Sequence, residues 1–317
     1  MSQTLTQEGS APFRIASLSK PCATYYKIFG DLSSAPALIM IHGGPGVGHE
    51  CFLPFGRLWQ LYRIPVILYD QIGCGKSTHI PETVGDKSIW NVDLFVDEVN
   101  NLVEHLKLRN GYYILGHSFG GMIAPEFATR QPKGLKRLIL ASGIASKDLS
   151  YRCFDSLRSK MPTAHQKAIL EARRTGDYTT PAYKAVWAYL SRYYLCRTEN
   201  PLPEFASGLK NMAEDGTAYK SMSGDSPWFE GGNMLGWTSI PKLHEINVPT
   251  LVFNSEFDSS SQDIAQRPFF DLIPRVRWYQ FAEAGHMPWL ESMTLQDKVL
   301  KLVGDFLVQP DVMEASN

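Results

Sequence analysis

With 317 residues, 44% of them hydrophobic and 20% charged, the chain has a globular composition and the length to bury a full active site in one core with a substantial insertion. A formal net charge of -1 offers no electrostatic footprint for nucleic acid or an anionic membrane, so the expected partner is a small molecule or short peptide. Cys22, Cys51, Cys74, Cys153 and Cys196 lack C-x-x-C spacing and suggest neither a disulfide framework nor a zinc site; Met1–Ser10 has no apolar leader, and no apolar run reaches membrane-spanning length, which points to a soluble, cytoplasmic protein.

In chain order, Phe13–Phe29 reads as an antiparallel lead-in hairpin closed by Gly30-Asp31. Ala37–Ile41 is a continuous apolar run, the pattern of a strand buried on both faces, and it ends in His42-Gly43-Gly44-Pro45-Gly46. Three glycines around a proline let backbone N–H groups approach a ligand, as an oxyanion hole requires, although an ordinary strand-to-helix turn has the same composition. Pro65–Tyr69 is the next buried strand. The Asp70-Gln71-Ile72-Gly73-Cys74-Gly75-Lys76-Ser77 segment after it lacks both the third glycine of a dinucleotide loop and a Walker A frame, so nucleotide binding is rejected. Apolar residues at helical spacing between Asn91 and Leu108 predict a helix packed on the sheet.

Tyr112–Leu115 predicts a short buried strand, and Gly116-His117-Ser118-Phe119-Gly120 follows it as G-x-S-x-G, with an apolar helix face beginning at Met122. A strand that stops at a strained serine and turns at once into a helix is a nucleophile elbow, and Ser118 is the candidate nucleophile. Leu135–Ala141 is a further strand. From about Lys147 to Gly236 strand-like runs vanish, and helical patterns punctuated by proline and glycine predict an inserted helical cap. Aromatics at helical spacing there, such as Tyr183, Trp187 and Tyr194, read as the cap's own core, whereas Trp228, Phe229 and Trp237 lie in loop-like sequence and are candidate pocket walls. Strands at Pro249–Asn254 and Val276–Phe281 and a closing helix at Leu295–Leu307 complete the chain before a polar tail, Pro310–Asn317. Alternating strands and helices predict an α/β fold with a mostly parallel, doubly wound sheet, its core formed by residues 1–146 and 237–317 and its cap by residues 147–236.

A serine hydroxyl needs a histidine base, which needs a carboxylate to fix its tautomer. His286, in Gly-His-Met-Pro after a strand, is the candidate base, and Asp258 fits the tip of the preceding loop as the acid, with Glu256 and Asp263 as competitors. The order Ser, acid, His, each just after a strand, suits this architecture.

These segments together resemble the α/β-hydrolase fold and, within it, the prolyl iminopeptidase family, nearest the branch with the L-amino acid amidases and the tricorn-interacting aminopeptidase. The resemblance implies a cofactor-free serine hydrolase, with no metal, that acylates Ser118 with a small acyl unit. It also implies an oxyanion hole formed by the N–H groups of Gly44 and Phe119, with Gly43 as neighbour.

The chain departs from that branch at two places. Its cap motif M-N-G-P-N-E-F aligns with Met222-Ser223-Gly224-Asp225-Ser226-Pro227-Trp228, and the glutamate that follows its catalytic aspartate aligns with Ser259, so both amine-binding glutamates are missing. Pro227 stands as far before Asp258 as the cap glutamate does in the family. The pocket is therefore expected to be less acidic, with Asp225, Glu230 or Glu256 as substitute amine anchors. Three readings stay open: an amidase or aminopeptidase, an ester, lactone or thioester hydrolase, and a non-catalytic binder on the same fold.

Overall fold

The computed structural model describes residues 6–310. In chain order its elements are β1 (Thr6–Phe13), β2 (Cys22–Phe29), β3 (Ala37–Ile41), α1 (Arg57–Tyr62), β4 (Val66–Tyr69), α2 (Val92–His105), β5 (Tyr112–His117), α3 (Gly120–Thr129), β6 (Leu135–Ala141), α4 (Lys147–Lys160), α5 (Thr163–Thr175), α6 (Pro181–Leu190), α7 (Pro203–Glu214), α8 (Thr217–Ser223), β7 (Thr250–Ser255), α9 (Asp263–Leu272), β8 (Val276–Phe281) and α10 (Met293–Val308). The strands form one 8-stranded sheet in the order β1-β2-β4-β3-β5-β6-β7-β8. β1 and β2 are antiparallel, β2 joins β4 antiparallel, and every later pairing is parallel.

The hairpin begins at Thr6, earlier than its composition suggests. β1 is an edge strand of which Ala11 and Phe13 reach the core, so most of it carries no apolar signal. The expected tail from Pro310 onward, like the first five residues, lies outside the described residues, apart from Pro310 itself. Among the described residues no helix is long and apolar enough to cross a membrane.

Side chains on successive residues of a strand point to opposite faces, and the core divides accordingly. Ile39 and Ile41 pack with α2 and α3, through Phe95, Val99, Ile123 and Phe127. Leu38 and Met40 pack on the other face with Leu58 of α1 and Val299, Val303 and Phe306 of α10. Between β6 and β7 the chain runs through α4 to α8 without a strand. Phe154, Leu157, Ile169, Tyr183, Val186 and Trp228 give this segment a core of its own.

Hydrogen bonds hold the helical segment on the sheet's loops. The N–H of His286 and of Met287 donate to the carbonyls of Tyr194 and Leu195, both at 2.9 Å. Asn211 Nδ2 donates to Val47 O and to Glu50 Oε2, each at 2.9 Å. His79 Nδ1 meets Asp215 Oδ2 at 2.6 Å.

Candidate active site

The site forms at the carboxyl ends of β3, β5, β7 and β8. After β5 the backbone turns sharply at Ser118, which has φ 55, the left-handed conformation that a side chain other than glycine adopts only under constraint. Its N–H is held by Ala141 O at 3.0 Å, and α3 begins two residues later. The glycines of the motif are dictated by packing: a Cβ on Gly120 would lie 2.0 Å from Ile41 O, and one on Gly116 2.1 Å from Gly120 O. Gly120→Ala should therefore push α3 off β3 and cost about 3 kcal/mol or more, read as a lowered urea midpoint. A wild-type midpoint in that variant would refute the close-packing argument.

The loop after β3 is built around two buried polar groups. His42 Nδ1 donates to Gly43 O at 2.9 Å while its Nε2 accepts the N–H of Gln71 at 3.1 Å, and Gln71 Nε2 returns a bond to His42 O at 2.8 Å. Asp70 accepts the His49 N–H on Oδ1 at 2.7 Å and the Lys76 N–H on Oδ2 at 2.8 Å. Asp70 also belongs to two groups of potential metal ligands, with His42 and Cys74 and with His49 and Glu50, and in this fold its oxygens serve the loop backbones. Gly44 takes φ 110, and Gly43 comes so near the elbow that a Cβ on it would stand 2.9 Å from Ser118 Cβ.

Of the carboxylates after β7, Asp258 meets His286: Nδ1–H donates to its Oδ1 at 2.8 Å. The same oxygen accepts the N–H groups of Ser260 at 3.2 Å and Ser261 at 3.0 Å, which fix the acid's loop. Glu256 is exposed and accepts the Glu283 N–H at 2.9 Å, and Asp263 accepts from Asn254 and Gln280. His117 fills the free position of the motif before the serine and carries no signal of its own in the sequence. Buried and held neutral by desolvation, it donates from Nε2 to His286 O at 3.1 Å, and its ring lies tilted against that of His286 with centroids 4.6 Å apart.

Ser118, His286, Gly43, Gly44 and Phe119 all line one cavity of about 530 Å³. The rest of its wall is mainly apolar and comes largely from the helical segment, including Phe154, Trp187, Leu190, Phe205 and Met212. The candidate substrate residues fall elsewhere. Trp228 is 2% exposed inside the segment's own core, with Nε1 bonded to Phe154 O at 3.0 Å, because an indole N–H buried among aromatics needs an acceptor there. Phe229 is partly exposed against Tyr178, and Trp237 bonds Glu126 Oε1 at 3.0 Å. Asp225 and Glu230 are solvent-exposed, Glu230 3.9 Å from Arg173. These five, and exposed Glu256, are not part of the cavity wall. Trp187, read from sequence as core, is part of it.

A family model described as the alpha/beta hydrolase fold matches residues 36–292. Proline iminopeptidase of Clostridioides difficile strain 630 is 33% identical over 303 residues, which cover 95% of this chain and 97% of that protein. That of Lactobacillus delbrueckii subsp. lactis is 32% identical over 289 residues, 91% of this chain and 95% of that protein. The chain belongs to the α/β-hydrolase family that contains the proline iminopeptidases. Among solved structures, proline iminopeptidase of Mycobacterium smegmatis superposes with a TM-score of 0.82 at 29% identity, covering 94% of this chain and 97% of that one. VinJ superposes with a TM-score of 0.86, also at 29% identity, covering 94% and 98%.

In this hydrolase Pro227 and Ser259, the residues aligned with the family's two glutamates, both line the cavity. A carboxylate is nevertheless present. Glu204, in the first turn of α7, lines the same cavity, and its Oε2 is buried with no hydrogen-bond partner in the protein. No local pattern marks Glu204 in the sequence, since it reaches the site only because α7 packs on the 49–56 turn that follows β3.

Proposed function

We propose that this enzyme is a serine hydrolase that cleaves a small amide, releasing an N-terminal residue, through an acyl-enzyme on Ser118. The observation that carries this reading is the joint opening of the strained Ser118 elbow and of the Asp258-bonded His286 onto one apolar cavity. With Nδ1–H committed to Asp258, His286 offers the lone pair of Nε2 as base. Ser118 Oγ attacks the substrate carbonyl carbon as its proton passes to Nε2, and the oxyanion is received by the N–H groups of Gly44 and Phe119. Collapse expels the amine, which takes the proton from His286, and water activated by the same histidine then releases the acid. His117 and the Asp258 loop act as positioning groups for the base.

The amide reading needs a partner for the substrate's α-ammonium, and Glu204 is the residue proposed for it. A charge-assisted contact of this kind contributes about 1.5–3 kcal/mol. Pro227 and Ser259 favour a second reading, hydrolysis of a neutral ester, lactone or thioester, because neither carries a charge. The deciding measurement is kcat/KM for proline or phenylalanine arylamides against N-acetylated amides and matched neutral esters, corrected for leaving-group reactivity. The expected result is a preference of at least about tenfold for the free amine that disappears in Glu204→Gln. Equal turnover of free and acetylated amides in the wild type would overturn the amide reading and leave the ester one.

A further inference from the structure

One residue of the cavity wall carries a charge that this chemistry does not use. Lys147, the first residue of α4, lines it and is 7% exposed. Among the described residues no carboxylate pairs with its ammonium, which lies 5.0 Å from the centroid of the Tyr151 ring. Burial lowers the group from its usual 10.5 to about 8, the mark of an amine that has lost hydration without gaining an ionic partner. Other hydrogen-bonding groups stand on the same wall. Ser142, just after β6, has a buried Oγ with no hydrogen-bond partner, and Ser150 lies one turn further along α4; both line the cavity.

Sheet order separates the two charges. α7, which carries Glu204, packs against the turn that follows β3, whereas Lys147 and Ser142 follow β6. In the sheet β5, which leads into the Ser118 elbow, lies between β3 and β6, so the segments that carry or support the two charges flank the elbow strand. We propose that Lys147 binds a carboxylate of the substrate, with the hydroxyls of Ser142 and Ser150 beside it. A short substrate charged at both ends, such as a dipeptide, then fits across the nucleophile with its amine toward Glu204 and its carboxylate toward Lys147. The assignment of the amine end rests on the proposed function; the carboxylate site does not.

Two measurements keep these claims separable. By calorimetry, 3-phenylpropionate is expected to bind roughly ten- to a hundredfold more tightly than 3-phenylpropionamide in the wild type and in Lys147→Arg, and with equal affinity in Lys147→Met. Lys147→Gln serves as a second neutral variant should the methionine variant not fold. In the kinetic arm, the ratio of kcat/KM for L-alanyl-L-alanine to that for its amide should fall from above about ten to near one in the neutral variants. Equal binding of acid and amide by the wild type would overturn the proposal. So would a preference that survives the loss of the lysine, which would place the carboxylate at the Gly44 and Phe119 amides instead. Failure to hydrolyse either dipeptide counts against the proposed function, while the calorimetry still decides the fate of Lys147.

Discussion

Replacing Ser118 with alanine is expected to lower turnover by roughly a millionfold while leaving the fold intact. A loss this large is expected because in the proposed scheme both bond-making steps use the elbow hydroxyl, and no other serine of the cavity wall stands directly between a strand and a helix. Ser142 and Ser260 line the same cavity, but Ser142 follows β6 and Ser260 belongs to the loop that holds Asp258. The backbone of residue 118 is fixed from outside, by Ala141 O accepting its N–H and by the close packing of Gly120 on β3, so alanine inherits the same left-handed conformation. The variant's melting curve should overlay the wild type's to within about 1–2 kcal/mol, the scale of a backbone strain term. Turnover within about tenfold of wild type in a purified, folded variant would remove the acyl-enzyme scheme.

The second large effect concerns the acid. Asp258→Ala is expected to reduce kcat by about ten-thousandfold, since it removes both the acceptor that holds His286 Nδ1–H and the charge that stabilises the imidazolium. Asp258→Asn should be milder, between about a hundred- and ten-thousandfold. Here one oxygen, Oδ1, receives the histidine and the two serine amides together, so an asparagine carbonyl keeps these bonds while the charge is lost and an NH2 replaces the buried, unpartnered Oδ2. Glu256→Gln should change kcat by less than about threefold, as its exposed carboxylate caps the Glu283 N–H away from the cavity. Steady-state kinetics on the three variants tests the ranking. A damaging Glu256→Gln beside a mild Asp258→Ala would reassign the acid.

The parts legible in the sequence are those set by local chemistry. Ala37–Ile41 is buried on both faces and its continuous apolar run says so, and Leu251-Val252-Phe253 carries the same signal within the strand expected at Pro249–Asn254. The glycines beside Ser118 announce the elbow because nothing larger fits between β3, β5 and α3. Asp258 and His286 each stand in a loop after an expected strand, and because those strands pair in the sheet the two side chains meet at 2.8 Å. The substrate wall was not legible, because helices far apart in sequence build it by packing. Trp187 and Trp228 are both aromatic residues of the helical segment, yet the first lines the cavity and the second fills the segment's own core. Glu204 and Lys147 resemble ordinary solvated charges at helix starts, and burial against the cavity is a property of the tertiary arrangement alone. His117 shows the same limit at close range: the motif leaves its identity free, and the fold turns it against His286.

Covalent labelling decides whether Ser118 is the nucleophile. The protein should be treated with a fluorophosphonate probe, weighed intact and mapped by peptide mass spectrometry, alongside the Ser118→Ala variant. One adduct per chain is expected on the peptide containing Gly116-His117-Ser118-Phe119-Gly120, and none in the variant. An adduct on another serine, or undiminished labelling of the variant, would contradict that role for Ser118.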